Sequence, residues 1–369
     1  MSVVEKPAPR WRIVAIVVGI VAALVATVSV VFTVGNGSPT PTDRTAEPSA
    51  TTTLPSSSAT SASVTTPTRT VPIDLRFDLG GGFYRIYLHR TGGSDTGYVF
   101  AYIDVARGEL TYVDQTPIVY GSVVGRVGGR VVVEGASLHI IDQDFSGAAT
   151  SIGGDDFVGV WRDHLIAVEY FPERSTFHEY RLDGSEARSV ALVGRPPDLV
   201  GGIVRNSVIV ERAGRLLLLG LDDASVREFG IGRLLGVGGD RIFFTSCSPL
   251  GACTLNEATV EGVVRTTPVG NYMAPGTETV FADVSPDGTA LHLYDYRHKE
   301  DVVLAGGTSV ALPLNIDTRS RAWAPTGGWI FSVDDSTKKL EALDYRSRQV
   351  VPVPLPKDDT VSLRSVAVW

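Results

Sequence analysis

The chain has 369 residues, with 33 Lys and Arg against 41 Asp and Glu and a formal charge of −8. That balance lacks the concentrated basic surface that nucleic acid requires. After the first 71 residues about 300 remain, enough for one large domain or two ordinary ones.

From Ile13 to Val34 (IVAIVVGIVAALVATVSVVFTV) there is no charged residue. About 20 apolar residues at roughly 1.5 Å each cross a bilayer's hydrocarbon core, so residues 13–34 are expected to form one transmembrane helix. Thr27, Ser29 and Thr33 can back-bond to its own carbonyls. The leading tail, residues 1–12, holds Lys6, Arg10 and Arg12 against Glu5, whereas Asp43, Arg44 and Glu47 follow the span without a basic excess. The positive-inside bias then keeps the amino terminus in the cytoplasm and carries the rest across. A cleaved signal peptide needs a shorter apolar stretch, about 7–15 residues, and a small-residue cleavage site. The run here is longer, and Ala23-Leu-Val-Ala26 has the wrong spacing. The expected address is a cell membrane, single-pass, with the C-terminal domain extracytoplasmic.

Residues 35–71 are dominated by Ser, Thr and Pro. So little there can be buried that a disordered linker is expected, spanning on the order of 35 Å as a flexible coil. An O-glycosylated stalk and an unmodified spacer both fit this composition.

Residues 72–369 carry short runs of Val, Ile, Leu, Phe and Tyr punctuated by Gly, Asp and Pro, which predicts an all-β domain. One phrase recurs, an apolar strand ending on an acidic or Gly turn and followed by a shorter strand. Its turns fall at Asp104, Asp142, Asp183, Asp222, Glu261, Gly306 and Asp344. A spacing of about 40 residues is that of a four-stranded propeller blade, so seven turns predict a seven-bladed β-propeller, with six or eight blades as the neighbouring counts. Two further strands precede most phrases. Ser285-Pro-Asp-Gly288 and Ala324-Pro-Thr-Gly327 are tight turns joining the innermost strand A to strand B in two blades. Ser362–Trp369 reads as an A strand with nothing after it, to be completed from the amino end by strands around Phe83–His89, Gly97–Asp104 and Glu109–Val113. Ile73–Leu79 alternates in polarity and competes for the same inner place. Either pairing closes the ring and removes its open edges.

Through its Ser-Pro-Asp-Gly and Trp-Ala-Pro-Thr-Gly-Gly-Trp turns and its strand-ending Leu-Asp phrases, the domain resembles bacterial membrane-anchored β-propellers of the WD-repeat and YVTN type. The resemblance implies a rigid ring with its loops gathered on one face.

Cys247 and Cys253 flank Ser-Pro-Leu-Gly-Ala. In an oxidising compartment that close pair predicts a structural disulfide across a reversing loop. Asp156, Asp198, Glu278, Asp317 and Asp359 fall in loops expected to ring the mouth of the central channel, as ligands for cations or sugar hydroxyls. Asp residues at such places also serve as turn formers. No His-Glu-x-x-His, calcium loop or Gly-x-Ser-x-Gly occurs, so neither metal nor cofactor is expected. Trp161, Trp323, Trp329 and Trp369 lie on predicted A or B strands, where large rings fill the space between blades. Two functions fit. One is a binding or scaffolding module for an envelope protein, peptide or polymer. The other is an extracytoplasmic hydrolase or lyase acting on a carbohydrate or lactone through acids at the channel mouth.

Overall fold

The alternation of apolar and polar residues through the C-terminal 300 residues or so produces strands and, among the described residues, nothing else of regular structure. The computed structural model describes residues 68–75, 84–92, 98–113, 118, 121–248, 252–269, 280–295, 300–312, 318–334, 339–355 and 361–369. The Ile13–Val34 stretch, most of the linker, and Glu278, Asp317 and Asp359 lie outside these residues. Within them no helix is long and apolar enough to cross a membrane.

In chain order, β1 (Thr68–Pro72), β2 (Arg85–Gly92), β3 (Tyr98–Asp104) and β4 (Glu109–Val113) belong to blade 1. Blade 2 comprises β5 (Ser122–Val127), β6 (Arg130–Glu134), β7 (Leu138–Asp142) and β8 (Thr150–Ile152). Blade 3 is β9 (Asp156–Trp161), β10 (His164–Phe171), β11 (Arg174–Tyr180) and β12 (Glu186–Val193). Blade 4 is β13 (Leu199–Val204), β14 (Ser207–Arg212), β15 (Arg215–Gly220) and β16 (Val226–Ile231). Blade 5 is β17 (Arg233–Gly238), β18 (Arg241–Cys247), β19 (Cys253–Thr259) and β20 (Gly262–Val269). Blade 6 is β21 (Val280–Val284), β22 (Ala290–Asp295), β23 (Glu300–Ala305) and β24 (Thr308–Ala311). Blade 7 is β25 (Thr318–Trp323), β26 (Trp329–Asp334), β27 (Leu340–Asp344) and β28 (Gln349–Pro352), and β29 (Val361–Val368) returns to blade 1. The fold is a seven-bladed β-propeller with all pairs antiparallel.

Ring closure is decided by β29, which pairs with β2 from Ile86↔Val368 to Gly92↔Val361. The stretch from Ile73 does not take that place; Ile73 N–H donates instead to Gly108 O at 2.8 Å as the chain leaves β1. β1 lies within the end of the stretch expected to be linker. It adds a fifth, outermost strand to blade 1, from Thr68↔Val113 to Pro72↔Glu109. Pro72 has no N–H to donate, which an outer strand tolerates.

Asp104, Asp183 and Asp344 among the recurrent acids are turn chemistry. Oδ1 of Asp183 accepts Ser185 N–H at 2.9 Å, and Oδ1 of Asp344 accepts Arg346 N–H at 3.0 Å. The two Pro-containing turns match as expected, with Gly288 N–H to Ser285 O and Gly327 N–H to Ala324 O both at 2.8 Å.

A second repeat sits on the inner strands. β5, β9, β13 and β17 each bulge and then carry a glycine, at Gly125, Gly159, Gly202 and Gly236. A Cβ at Gly125 would lie 2.4 Å from the Phe157 ring of the next blade, and one at Gly202 would lie 2.9 Å from Val237 of the next. The missing side chain is what lets each inner strand receive its neighbour.

The core is divided into seven apolar seams, one between each pair of adjacent blades. Trp161 and Trp323 lie in two of them at 5% exposure, as ring-filling residues. Among the described residues the seam between blades 6 and 7 has the smallest apolar cluster, with Ala290, Val303, Trp323, Ile330 and Tyr345 buried in it.

Candidate functional site: the upper rim and the seam between blades 6 and 7

Loops from strand D to the next strand A, and from B to C, open on one face of the ring, here the upper. Asp156 and Asp198 both reach this face, at the tops of neighbouring blades 3 and 4, yet their surroundings differ. Asp198 N–H donates to Glu211 O at 2.7 Å, while its Oδ2 accepts Ala213 N–H at 2.6 Å and Oδ1 pairs with Arg195. The Ala213 N–H and the Arg195 guanidinium hold its carboxyl below the usual range. In blade 3 the same two backbone contacts belong to Asp155, whose N–H donates to Val168 O at 2.6 Å and whose Oδ2 accepts Tyr170 N–H at 2.8 Å. Asp198 therefore corresponds to Asp155, and both are clasps for a B–C turn. Asp156, one residue on, is exposed; burial of the Tyr170 ring and the bond from its hydroxyl to Asp156 raise the pKa of that phenol.

Two acids that the sequence reading passed over tie the rim across blades. Glu134, closing β6, accepts Phe157 N–H at 3.5 Å, and Glu211 in β14 accepts Leu234 N–H at 2.8 Å. Phe157 and Leu234 are both second residues of an inner strand ahead of its bulge. Burial raises the pKa of each Glu above the ordinary carboxylate value. In blade 5 the B–C hairpin is closed by the expected disulfide, Cys247–Cys253, across a directly opposed pair with Cα atoms 4.0 Å apart.

On the lower face, Trp161 is covered by the guanidiniums of Arg162 and Arg188, 4.2 and 4.8 Å from its ring centroid. Arg162 reaches blade 4 through a bidentate pair with Asp222, both bonds 2.9 Å. That indole is occupied by its own protein and offers no open face for a sugar.

The unusual chemistry lies inside. Strand pairing sets Asp283 opposite His292 and Asp301 opposite Tyr294, so all four side chains share the face of blade 6 that looks at blade 7. From blade 7, Arg321 and its cross-strand neighbour Ser332 face them. The Asp301 carboxylate takes Arg321 Nη2 at 2.8 Å and hydrogen-bonds His292 Nε2, and the guanidinium lies 5.2 Å from the Tyr294 centroid. Side-chain exposures of 0%, 1% and 5% for His292, Asp301 and Arg321 leave no role for bulk water. Burial, with Arg321 close by, lowers the His292 pKa and keeps the ring neutral even though Asp301 favours its charged form. Asp283, half-buried on the innermost strand, has its carboxyl pushed by burial up to about 7, although the Val284 N–H and Arg321 oppose the shift. His292 Nδ1, Ser332 Oγ and Trp323 Nε1 are buried without a hydrogen bond among the described residues. The sequence signal was His292 and Asp301 at inward positions of strands that otherwise alternate apolar.

The chain matches no family model and no curated protein. Among solved structures, a protein of unknown function from Desulfotomaculum acetoxidans is 13% identical over 77% of this chain and 99% of its own, with a TM-score of 0.47. A proposed 6-phosphogluconolactonase from Bacteroides uniformis is also 13% identical, over 78% and 99%, at a TM-score of 0.47. Hsv2 from Kluyveromyces marxianus is 9% identical over 59% and 73%, at 0.43.

Proposed function

We propose that this chain is a single-pass membrane protein whose extracytoplasmic propeller is a binding or scaffolding module for an envelope protein, peptide or polymer, working without a cofactor. The observation that carries this reading is how firmly the described part of the upper rim, over blades 2 to 5, is tied down. Asp155 and Asp198 clasp its turns, Glu134 and Glu211 tie neighbouring blades, and Cys247–Cys253 closes one hairpin. Loops held in one arrangement lose little freedom on binding, which favours recognition. The span Ile13–Val34 with its basic inner flank supports the tether.

The test places a photo-crosslinking residue at Arg195 on the upper rim of the full-length chain in cells, with Arg227 on the outer edge of blade 4 as control. A defined adduct at the rim and none at the control supports the reading. No rim adduct, together with turnover of a sugar or lactone panel, refutes it.

The hydrolase reading draws on one observation, the elevated carboxyl of Asp283 beside His292 on the channel side of blade 6. The seam argues against it. His292 is closed off from water and Asp301 is neutralised by Arg321, so neither can reach a substrate atom.

A further inference from the structure

The lower face holds an open groove of about 720 Å³ beneath blades 5, 6 and 7. Its floor is low because blade 6 turns there on small residues, Gly288, Thr289 and Gly306. Gly288 has φ +69°, and a Cβ on it would lie 2.1 Å from Gly238 O, so no side chain can stand at that point. The walls are tall because the flanking blades contribute Arg241, Arg265 and Arg346.

The acids in the groove leave these arginines under-used. Asp287 is engaged by its own turn, accepting Ser285 Oγ–H at 2.7 Å and Thr289 N–H at 3.1 Å. Glu257 is shared by two guanidiniums, with Arg241 Nη1 at 3.4 Å and Arg265 Nη1 at 3.7 Å. Beyond that contact with Glu257, Arg241 Nη1 is shielded from water and has no hydrogen bond among the described residues. Arg346 donates from Nε to Tyr345 Oη at 3.3 Å, and among the described residues no carboxylate hydrogen-bonds its guanidinium. Three cations thus stand against two acids in one groove of a chain whose formal charge is −8.

We propose that this groove binds an acidic saccharide, a sugar-sized polyhydroxy body carrying one carboxylate, sulfate or phosphate group. Guanidinium forks match the planar or tetrahedral oxygens of such groups and bind them bidentately. The volume falls in the range of small-molecule sites and exceeds what a bare anion fills. Glycine and threonine on the floor admit a polar body close to backbone. Tyr345, 4% exposed, packs edge-on to Trp323 and gives no stacking platform, so recognition runs through hydrogen bonds and charge. The groove lies on the face opposite the loop rim, and its occupancy does not depend on the function proposed for that rim.

Titration calorimetry on the full-length chain in detergent, with glucuronate, glucose and sulfate as probes, tests this. Glucuronate is expected to bind saturably and to weaken as salt is added, while glucose does not bind. Arg265→Gln and Arg346→Gln, each with an unchanged melting temperature, are expected to weaken glucuronate about tenfold or more. Asp198→Asn on the opposite face should leave its affinity unchanged. The proposal is overturned by no saturable glucuronate binding up to about 10 mM, by equal binding of glucose, or by indifference to both arginine variants. Sulfate binding as tightly as glucuronate would reduce the site to a simple anion site and overturn the saccharide assignment.

Discussion

Replacing Arg321 by Met is the sharpest test of the seam between blades 6 and 7. The guanidinium is 5% exposed and its partner Asp301 is 1% exposed, so the substitution strands a carboxylate in a dry interface. Removing one member of a buried ion pair costs about 3–5 kcal/mol. For a ring of this size that corresponds to a fall in melting temperature of roughly 5–8 °C. Met keeps the length of the side chain, so the loss reports charge more than a cavity. Asp301→Asn makes the reciprocal change, leaving Arg321 uncompensated and weakening the bond to His292 Nε2. The informative quantity is the cycle of both single variants and the double, followed by circular dichroism through thermal and urea unfolding. The double should be less damaging than the sum of the singles by about 2 kcal/mol or more, because each single change strands what the other removes. Additivity within about 0.5 kcal/mol, or an Arg321→Met cost under about 1 kcal/mol, would show that the pair is not coupled and that the account of this seam is wrong.

Asp283 gives a stability profile with a definite sign. Its folded pKa, about 7 against an ordinary 3.8, means the fold holds this proton more tightly than the unfolded chain does. Its contribution to stability therefore falls as pH rises from about 4 to 7. Asp283→Asn should flatten that slope and raise the melting temperature at pH 8; a variant that melts lower than the parent at pH 8, with the slope unchanged, contradicts the assignment. Gly238→Ala sets a Cβ 2.0 Å from Ser285 O in the neighbouring blade and should cost about 3 kcal/mol or more, read by the same unfolding curves. Survival at parental stability would mean that blades 5 and 6 do not touch there. Reducing Cys247–Cys253 releases a short loop and should lower stability by about 2 kcal/mol, with no loss of strand signal. A membrane-impermeant maleimide should label Ser56→Cys in intact cells, since the linker is proposed to lie outside; labelling only after lysis would reverse the topology.

Much of the architecture was legible because blade turns are local. Asp104, Asp183 and Asp344 lie at or just after the ends of C strands and accept N–H groups only two or three residues further on, so the period showed through. Closure was harder, because β29 and the stretch from Ile73 both alternate apolar and polar. The choice between them rests on pairing with β2, more than 250 residues from β29. The inner-strand glycines were overlooked for a related reason. Gly125, Gly159, Gly202 and Gly236 are read singly as weak points in a strand, and they make sense only against the side chain that each receives from the next blade.

The site residues divide along the same line. Asp198 was picked out for its loop position, and it is there because an N–H across the turn, that of Ala213, needs an acceptor. A loop acid satisfying its own backbone cannot be told by residue type from one that waits for a ligand; the difference is which donors lie within 3 Å. His292 and Asp301 present the reverse problem. They occupy positions where the period of two asks for apolar residues, and hydrophobic patterning treats them as defects. Their partner Arg321 comes from the next blade, 20 residues beyond Asp301, and supplies the charge that makes burial of the acid tolerable. Among the described residues the apolar cluster in that seam is the smallest of the seven. A seam that combines a buried ion pair with a carboxyl titrating near neutrality ties its stability to pH and to charge as well as to apolar packing.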